Sequence, residues 1–268
     1  MKMKGRRYWP LLALPVFAAC EPPPEQVEIG FAARYEGEGI ACAGGPGGLS
    51  LSDLRFLVHD LRLRAADGRE TPVALTPDSR WQSAEVAMLD LEDGSERCAN
   101  GSEERNAILR GTVPRGVYEG LVFRLGVPAH LNHANPLLAA APLSDPAMHW
   151  HWLTGYKFLR AGVAGSDDGF WMHLGSARCE GTASDMGGCR SPNRPELEVA
   201  GFVPGQHVVV VELAELFAAV DLADGVPTDC SSGPAEIACA GPFRALGLDH
   251  ATGSAARTRG VFYAERPR

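Results

Sequence analysis

Residues 53–75 read DLRFLVHDLRLRAADGRETPVAL. The run Leu54–Arg64 sets apolar positions between Arg55, His59, Asp60 and Arg62 in a short, mixed alternation. Ala66-Asp67-Gly68 then makes a hairpin-type turn, and Thr71–Leu75 resumes the extended pattern. An extended run, a tight turn and a second extended run predict a β-hairpin. The same pattern recurs outward in both directions, at Val27–Tyr35, Glu85–Leu91, Ala107–Gly111, Val117–Leu125, Tyr156–Arg160, Phe170–Leu174, Glu196–Ala200 and His207–Val211. Roughly ten short strands separated by Gly, Pro, Asp and Asn predict a mainly β chain, a β-sandwich or barrel-like single domain over 27–268. Only Glu212–Val220 (ELAELFAAV) predicts a short helix. Gly44–Gly48 (GGPGG), Gly162–Gly169 and Gly181–Gly188 read as loops, and 221–253 as a loop-rich insertion with its own cysteine pair.

The chain opens MKMKGRRYWPLLALPVFAAC. Lys2, Lys4, Arg6 and Arg7 form a basic segment, Tyr8–Phe17 an apolar one, and Ala18-Ala19-Cys20 a small-residue close. That order is a secretory signal peptide over 1–19, with an apolar run too short to span a bilayer. The close resembles a bacterial lipobox, whose cysteine carries a lipid after cleavage, although Phe17 stands where Leu or Val is usual. The expectation is a lipoprotein of the bacterial cell envelope, periplasmic or at the surface, lipidated at Cys20. The chain is secreted if the anchor is absent. Residues 20–26, with three consecutive prolines, read as a stiff tether.

The net charge of −8 becomes more negative once the basic signal is removed. An acidic body argues against nucleic-acid binding, which needs a basic face. If Cys20 is lipidated, six cysteines remain, and an even set in an exported chain reads as a disulfide framework with 15 formal connectivities. Spacing favours the local pairs Cys179–Cys189 and Cys230–Cys239, which leaves Cys42–Cys98. No C-x-x-C pair is present to suggest a zinc site.

The chain lacks a Gly-x-Ser-x-Gly elbow, a phosphate-binding glycine loop, a dinucleotide fingerprint and His-Glu-x-x-His. No enzyme is indicated. Its eight histidines are more informative. His130 and His133 share a loop, His149-Trp150-His151-Trp152 interleaves two residue types, and Trp171-Met172-His173 lies in a predicted strand. In an extended segment residues two apart share a face, so His149 and His151 point one way and Trp150 and Trp152 the other. Trp171 and His173 share a face by the same rule. Neutral imidazole suits copper and zinc, and methionine sulfur suits Cu(I). The alternative is that each histidine caps a loop or completes a hydrogen bond.

Six runs carry a resemblance: DLRFLVHDLRL (53–63), ALTPDSRWQSAEVAMLDLEDGSERC (74–98), GVYEGLVFRLGVPAHLNHANP (116–136), MHWHWLTGYKFLR (148–160), FWMHLGSARC (170–179) and CRSPNRPELEV (189–199). In order and wording they resemble the MbnP-like family, the four-cysteine member of a metallo-mystery pair, over about residues 27–211. Cys42, Cys98, Cys179 and Cys189 match the family cysteines, whereas Cys230 and Cys239 fall outside that pattern. The resemblance implies an exported copper-binding protein that is not an enzyme. Its partner would be a MauG/MbnH-like di-haem protein that oxidises a tryptophan to a kynurenine-type copper ligand. Carried over by motif position, the metal ligands are His59, His133 and His173. The tryptophan to be modified is Trp150 or Trp152, with Trp171 as rival. The competing reading is a metal-free periplasmic or surface β-sandwich that acts as a binding or adhesion module.

Overall fold

The structure is a computed structural model that describes residues 23–165, 169–182, 185–220 and 229–267. The signal segment and Cys20 lie outside the described residues. The elements are β1 (Glu25–Tyr35), β2 (Glu38–Gly39), β3 (Ser50–Arg64), β4 (Glu70–Pro72), β5 (Ala74–Leu75), β6 (Val86–Asp90), β7 (Ile108–Val113) and β8 (Gly120–Leu125). They continue as β9 (His149–His151), β10 (Gly155–Ala164), β11 (Gly169–Gly175), β12 (Ala177–Thr182), β13 (Asp185–Ser191), β14 (Glu196–Ala200), β15 (Val208–Glu212), α1 (Leu213–Leu216), α2 (Ala240–Ala245) and β16 (Phe262–Glu265).

Among the described residues the strands make two large sheets and one separate hairpin. The first sheet runs β16-β15-β1-β7-β5, with β2 beside β1. The second runs β11-β10-β3-β8-β14, with β4 and β6 on β3 and β9 on β10. The pair β12-β13 joins neither sheet. β1 and β15 are parallel, and the other ladders are antiparallel. The sheets pack face to face as a mainly β sandwich.

Four phenylalanines hold the two layers together. Phe31 and Phe262 come from the first sheet, Phe56 and Phe123 from the second. Each ring meets both rings of the other sheet edge to face, with centroids 5.3–6.2 Å apart. Such contacts add about 0.5–1.5 kcal/mol per pair beyond area burial.

The hairpin expected around Ala66-Asp67-Gly68 forms between β3 and β4, with Arg64 opposite Glu70. β3 is buried without a break from Leu51 to His59. A sandwich strand with one solvated face would alternate. Here the outer face of the second sheet is covered as well, by the long connection between β8 and β10, whose Ala147 carbonyl receives Lys157 and Arg160, and by the connection between β6 and β7, whose Glu92 lies 3.7 Å from Arg55. This second cover explains the mixed pattern of DLRFLVHDL: Phe56 looks into the sandwich, and the odd-numbered Asp53, Arg55, Leu57 and His59 look outward into a covered layer.

The pairs Cys42–Cys98, Cys179–Cys189 and Cys230–Cys239 are all formed. Several boundaries differ from the expectation. β1 starts at Glu25, so the last two tether residues pair with Val113 and Thr112. Gly162–Ala164 extends β10, and much of the stretch read as a loop at 181–188 belongs to the β12-β13 hairpin, which the disulfide closes across opposed partners. The helix near 212 is one turn, capped by the Glu212 carboxylate on the Ala214 N–H, and α2 is a second short helix. The described part of 221–253 is integrated into the core: Cys230 exchanges backbone hydrogen bonds with Trp171 and His173 at the edge of β11, and Phe243 and Leu246 are buried.

Candidate metal centre

The covered outer face of the second sheet carries most of the histidine and tryptophan positions. Two buried asparagines brace it. Asn132, in the LNH turn, donates to the Thr154 carbonyl at 3.2 Å and accepts from the Tyr156 N–H at 3.4 Å. Asn193, in the PNR run, donates to the Gly175 carbonyl at 2.7 Å. Arg194 donates to the Val127 carbonyl at 2.6 Å and lies over the Phe158 ring; burial lowers its pKa to about 10.

The GYKFLR run is the central strut. The Tyr156 hydroxyl donates towards the carbonyls of Leu143 (2.8 Å) and Ala134 (3.2 Å). Lys157 and Arg160 both donate to the Ala147 carbonyl, at 3.2 and 3.0 Å. Two cations on one carbonyl hold the segment that leads into β9. Arg160 also bonds Asp53 at 2.6 Å, and Asp53 receives a bidentate pair from Arg55 at 2.9 and 3.0 Å. A buried carboxylate thus pairs with two guanidinium groups, an arrangement that compensates desolvation.

The three histidines assigned by motif occupy three neighbourhoods. Among the described residues, no three histidines bring ligand atoms within 4.8 Å of one another. His59 is on β3, opposite Val86 and Arg124, and lines a hollow with Glu85 and Pro128. Burial, then Arg194 and Arg124, push its pKa down to about 4. His173 is on β11 opposite Arg160. Burial, then Arg160 and Lys157, push it to about 4 as well. Both rings are therefore neutral near pH 7, and the Nε2 atom of each is buried with no hydrogen-bond partner among the described residues. An imidazole nitrogen left unspent in this way is a lone pair open to a metal or a water.

His133 sits between two adjoining clefts. One, of about 390 Å³, is shared with His130, Cys189 and Arg194. The other, of about 350 Å³, is shared with His149 and Trp152. Met186 lines both. His133 Nδ1 lies 3.3 Å from the Trp152 carbonyl, its Nε2 3.4 Å from the Asn132 amide nitrogen. Burial, with His151 and Lys157, lowers the pKa of His149, and its ring meets Tyr156 edge to face. Two imidazoles and a thioether line one cleft, and residues of these types suit copper, Cu(I) in particular. The sulfurs of Cys179 and Cys189 also lie within 4.8 Å of His133, but as a disulfide they are weak donors.

The tryptophans separate. Trp150, in β9, packs on Gly175, where a Cβ would meet its ring at 3.1 Å, and its centroid is 6.1 Å from that of His173. Trp171 packs over Gly162, on the same face as His173. Trp152 departs from the expected alternation. The strand ends at His151, so Trp152 falls in a turn on the His133 side and is 44% exposed. Met186 stands in the stretch 181–188 whose composition reads as a loop, and His149 is not among the histidines that motif position selects. The flanking pair Cys179 and Cys189 was the available signal that this stretch folds back as a hairpin.

A family model described as MbnP matches residues 24–232. A solved structure, MbnP from Methylosinus trichosporium, superposes with a TM-score of 0.79 at 27% identity, covering 92% of this chain and 100% of that one. No curated protein matches.

Proposed function

The chain belongs to the MbnP family, and from that premise we propose that it is an exported copper-binding protein, not an enzyme, one of whose tryptophans is oxidised by a MauG/MbnH-like di-haem partner. The observation that carries this reading is the cleft lined by His133, His149, Met186 and the exposed Trp152. His133 and His149 would hold the copper through imidazole nitrogen and Met186 through sulfur. Bound copper would supply a one-electron redox centre with a preference for soft donors.

Trp152 is the tryptophan we assign to the oxidation. Its ring is accessible to electron transfer, and its own carbonyl already positions His133. Two equivalents of peroxide, acting through the partner's haems, would add two oxygen atoms across the indole 2,3-bond with release of two waters. Hydrolysis would then release formate and leave kynurenine. The aniline nitrogen and ketone so formed are donors that an intact indole lacks. The signal segment and Cys20 support an address in the bacterial cell envelope, where a lipid would keep the domain near such a partner.

A second placement rests on the unpartnered Nε2 of His173 beside Trp150. One experiment separates the two. The mature chain is produced with and without the di-haem protein, its intact and peptide masses are measured, and copper is determined on the same sample. The expected result is kynurenine at position 152, with copper lost in His133→Ala and His149→Ala and retained in His173→Ala. The reverse pattern, with kynurenine at 150, moves the site to His173. Unmodified tryptophans and no bound copper would favour a metal-free binding module.

A further inference from the structure

We propose that reduction of the Cys179–Cys189 disulfide creates a second metal site on this chain, built from two thiolates and the His133 imidazole, for a soft thiophilic cation such as Cu(I), Zn(II) or Cd(II). The two sulfurs and a ring nitrogen of His133 already lie within 4.8 Å of one another. Nε2 of His133 is 3.5 Å from Sγ of Cys189. Metal–sulfur bonds of about 2.3 Å and metal–nitrogen bonds of about 2.0–2.1 Å need ligand atoms about 3.5–4 Å apart; Nε2 and the Cys189 sulfur already meet that spacing, and the two sulfurs have to separate.

The imidazole is oriented for the task. A carbonyl only accepts hydrogen bonds, so the 3.3 Å contact between Nδ1 and the Trp152 oxygen places the proton on Nδ1. Nε2 then carries the lone pair and faces the hairpin. A metal-bound histidine commonly donates its other N–H to a backbone carbonyl in this way. The competing donor is the Asn132 amide, long at 3.4 Å, and that same group already serves the Thr154 carbonyl.

The hairpin is also the place where reduction would act first. Cys42, Cys98, Cys230 and Cys239 are each at most 2% exposed. Cys179 and Cys189 are partly exposed on a two-stranded hairpin that pairs with neither large sheet. A small dithiol therefore reaches this bridge before the other two. The exchange breaks one S–S bond. The dithiol delivers two electrons and two protons and becomes a disulfide, leaving Cys179 and Cys189 as thiols. Cation binding then displaces both thiol protons. The site shares His133 and the hairpin of Met186 with the copper cleft proposed above, so the redox state of one surface bridge would decide which donor set His133 joins. The inference does not depend on that copper reading, because it needs only the disulfide and His133.

The test uses the full mature chain under anaerobic conditions. Limiting dithiothreitol is added and then removed, released thiols are mapped by alkylation and mass spectrometry, and Cd(II) is titrated while the thiolate-to-cadmium charge-transfer absorbance is followed. The expected result is two thiols at Cys179 and Cys189, one Cd(II) per chain, and native circular dichroism. Oxidised protein and Cys179→Ser/Cys189→Ser should show no band, and His133→Ala should bind at least about tenfold more weakly. The proposal is overturned if the first thiols map elsewhere, if the reduced chain unfolds, if no band forms, or if His133→Ala binds as tightly as wild type. Copper carried by the oxidised protein reports on the cleft alone, so the two readings fail separately.

Discussion

The backbone carbonyl of Asn132 passes so close to Gly155 that a Cβ added at Gly155 would lie 2.1 Å from it. Gly155 also has φ +82, in the left-handed region that favours glycine. This approach locks the LNH turn to the start of β10 and so fixes His133 relative to β9. Gly155→Ala should cost about 2–4 kcal/mol through clash and strain together. Urea denaturation measures it, and a variant as stable as wild type would show that the turn adapts freely.

The phenylalanine quartet makes a second, independent prediction. Phe56 is fully buried and touches both Phe31 and Phe262 across the sandwich. Phe56→Ala should destabilise by about 3–5 kcal/mol. Equilibrium unfolding gives the value, and a loss below about 1 kcal/mol would mean the sheets repack without it.

Asp90 sets a pH dependence at the alkaline side. Burial and then the nearby Glu92 push its pKa up to about 8, against an ordinary value of 3.8, while Arg55 partly opposes them. The folded protein therefore keeps a proton that the unfolded chain releases between these values. Stability falls as pH rises from about 4 through about 8. Asp90→Asn should flatten that decline and exceed wild type in Tm at pH 9. Thermal melts from pH 5 to pH 9 decide it, and parallel curves for the two proteins would refute it.

The acid side has the opposite sign. His59 and His173 have pKa values near 4 in the fold and 6.5 ordinarily. Between those values the unfolded chain binds the extra protons, so stability is lost progressively as pH drops from about 6.5 to about 4. Replacing His173 by Gln should make the decline shallower, as read from Tm between pH 7 and pH 4. A decline as steep as that of wild type would count against a neutral His173.

Met186 tests the copper cleft. Met186→Leu keeps volume and removes the sulfur, so Cu(I) affinity should fall about tenfold with Cu(II) affinity little changed. Competition with a chromophoric chelator in each oxidation state reads this out. Equal Cu(I) affinity would place sulfur outside the donor set.

Much of the architecture was legible in residues 53–75 and their repeats, because strand periodicity and turn chemistry are local. The extended run at 54–64, the Asp67-Gly68 turn and the three disulfide pairs all stand in the structure. The strands β12 and β13 were not legible from periodicity: glycine-rich segments without apolar alternation carry no strand signal, and the Cys179–Cys189 spacing was the one sign that the chain folds back there. The same holds for the short β9, whose strand ends one residue before Trp152 and so turns that ring to the His133 side.

The sequence by itself determined the β class, the oxidising framework of paired cysteines and the family to which the motifs belong. It could not determine which histidines meet. That depends on how the connection between β8 and β10 folds over the outer face of the second sheet, and the fold is set by distant partners: Asn132 on Gly155 and Tyr156, Lys157 and Arg160 on Ala147, Asn193 on Gly175. Motif position grouped His59, His133 and His173. Tertiary packing sets these in three neighbourhoods and lets His133 line one cleft with His149, Met186 and Trp152, because loop residues are placed by long-range hydrogen bonds and not by their own periodicity.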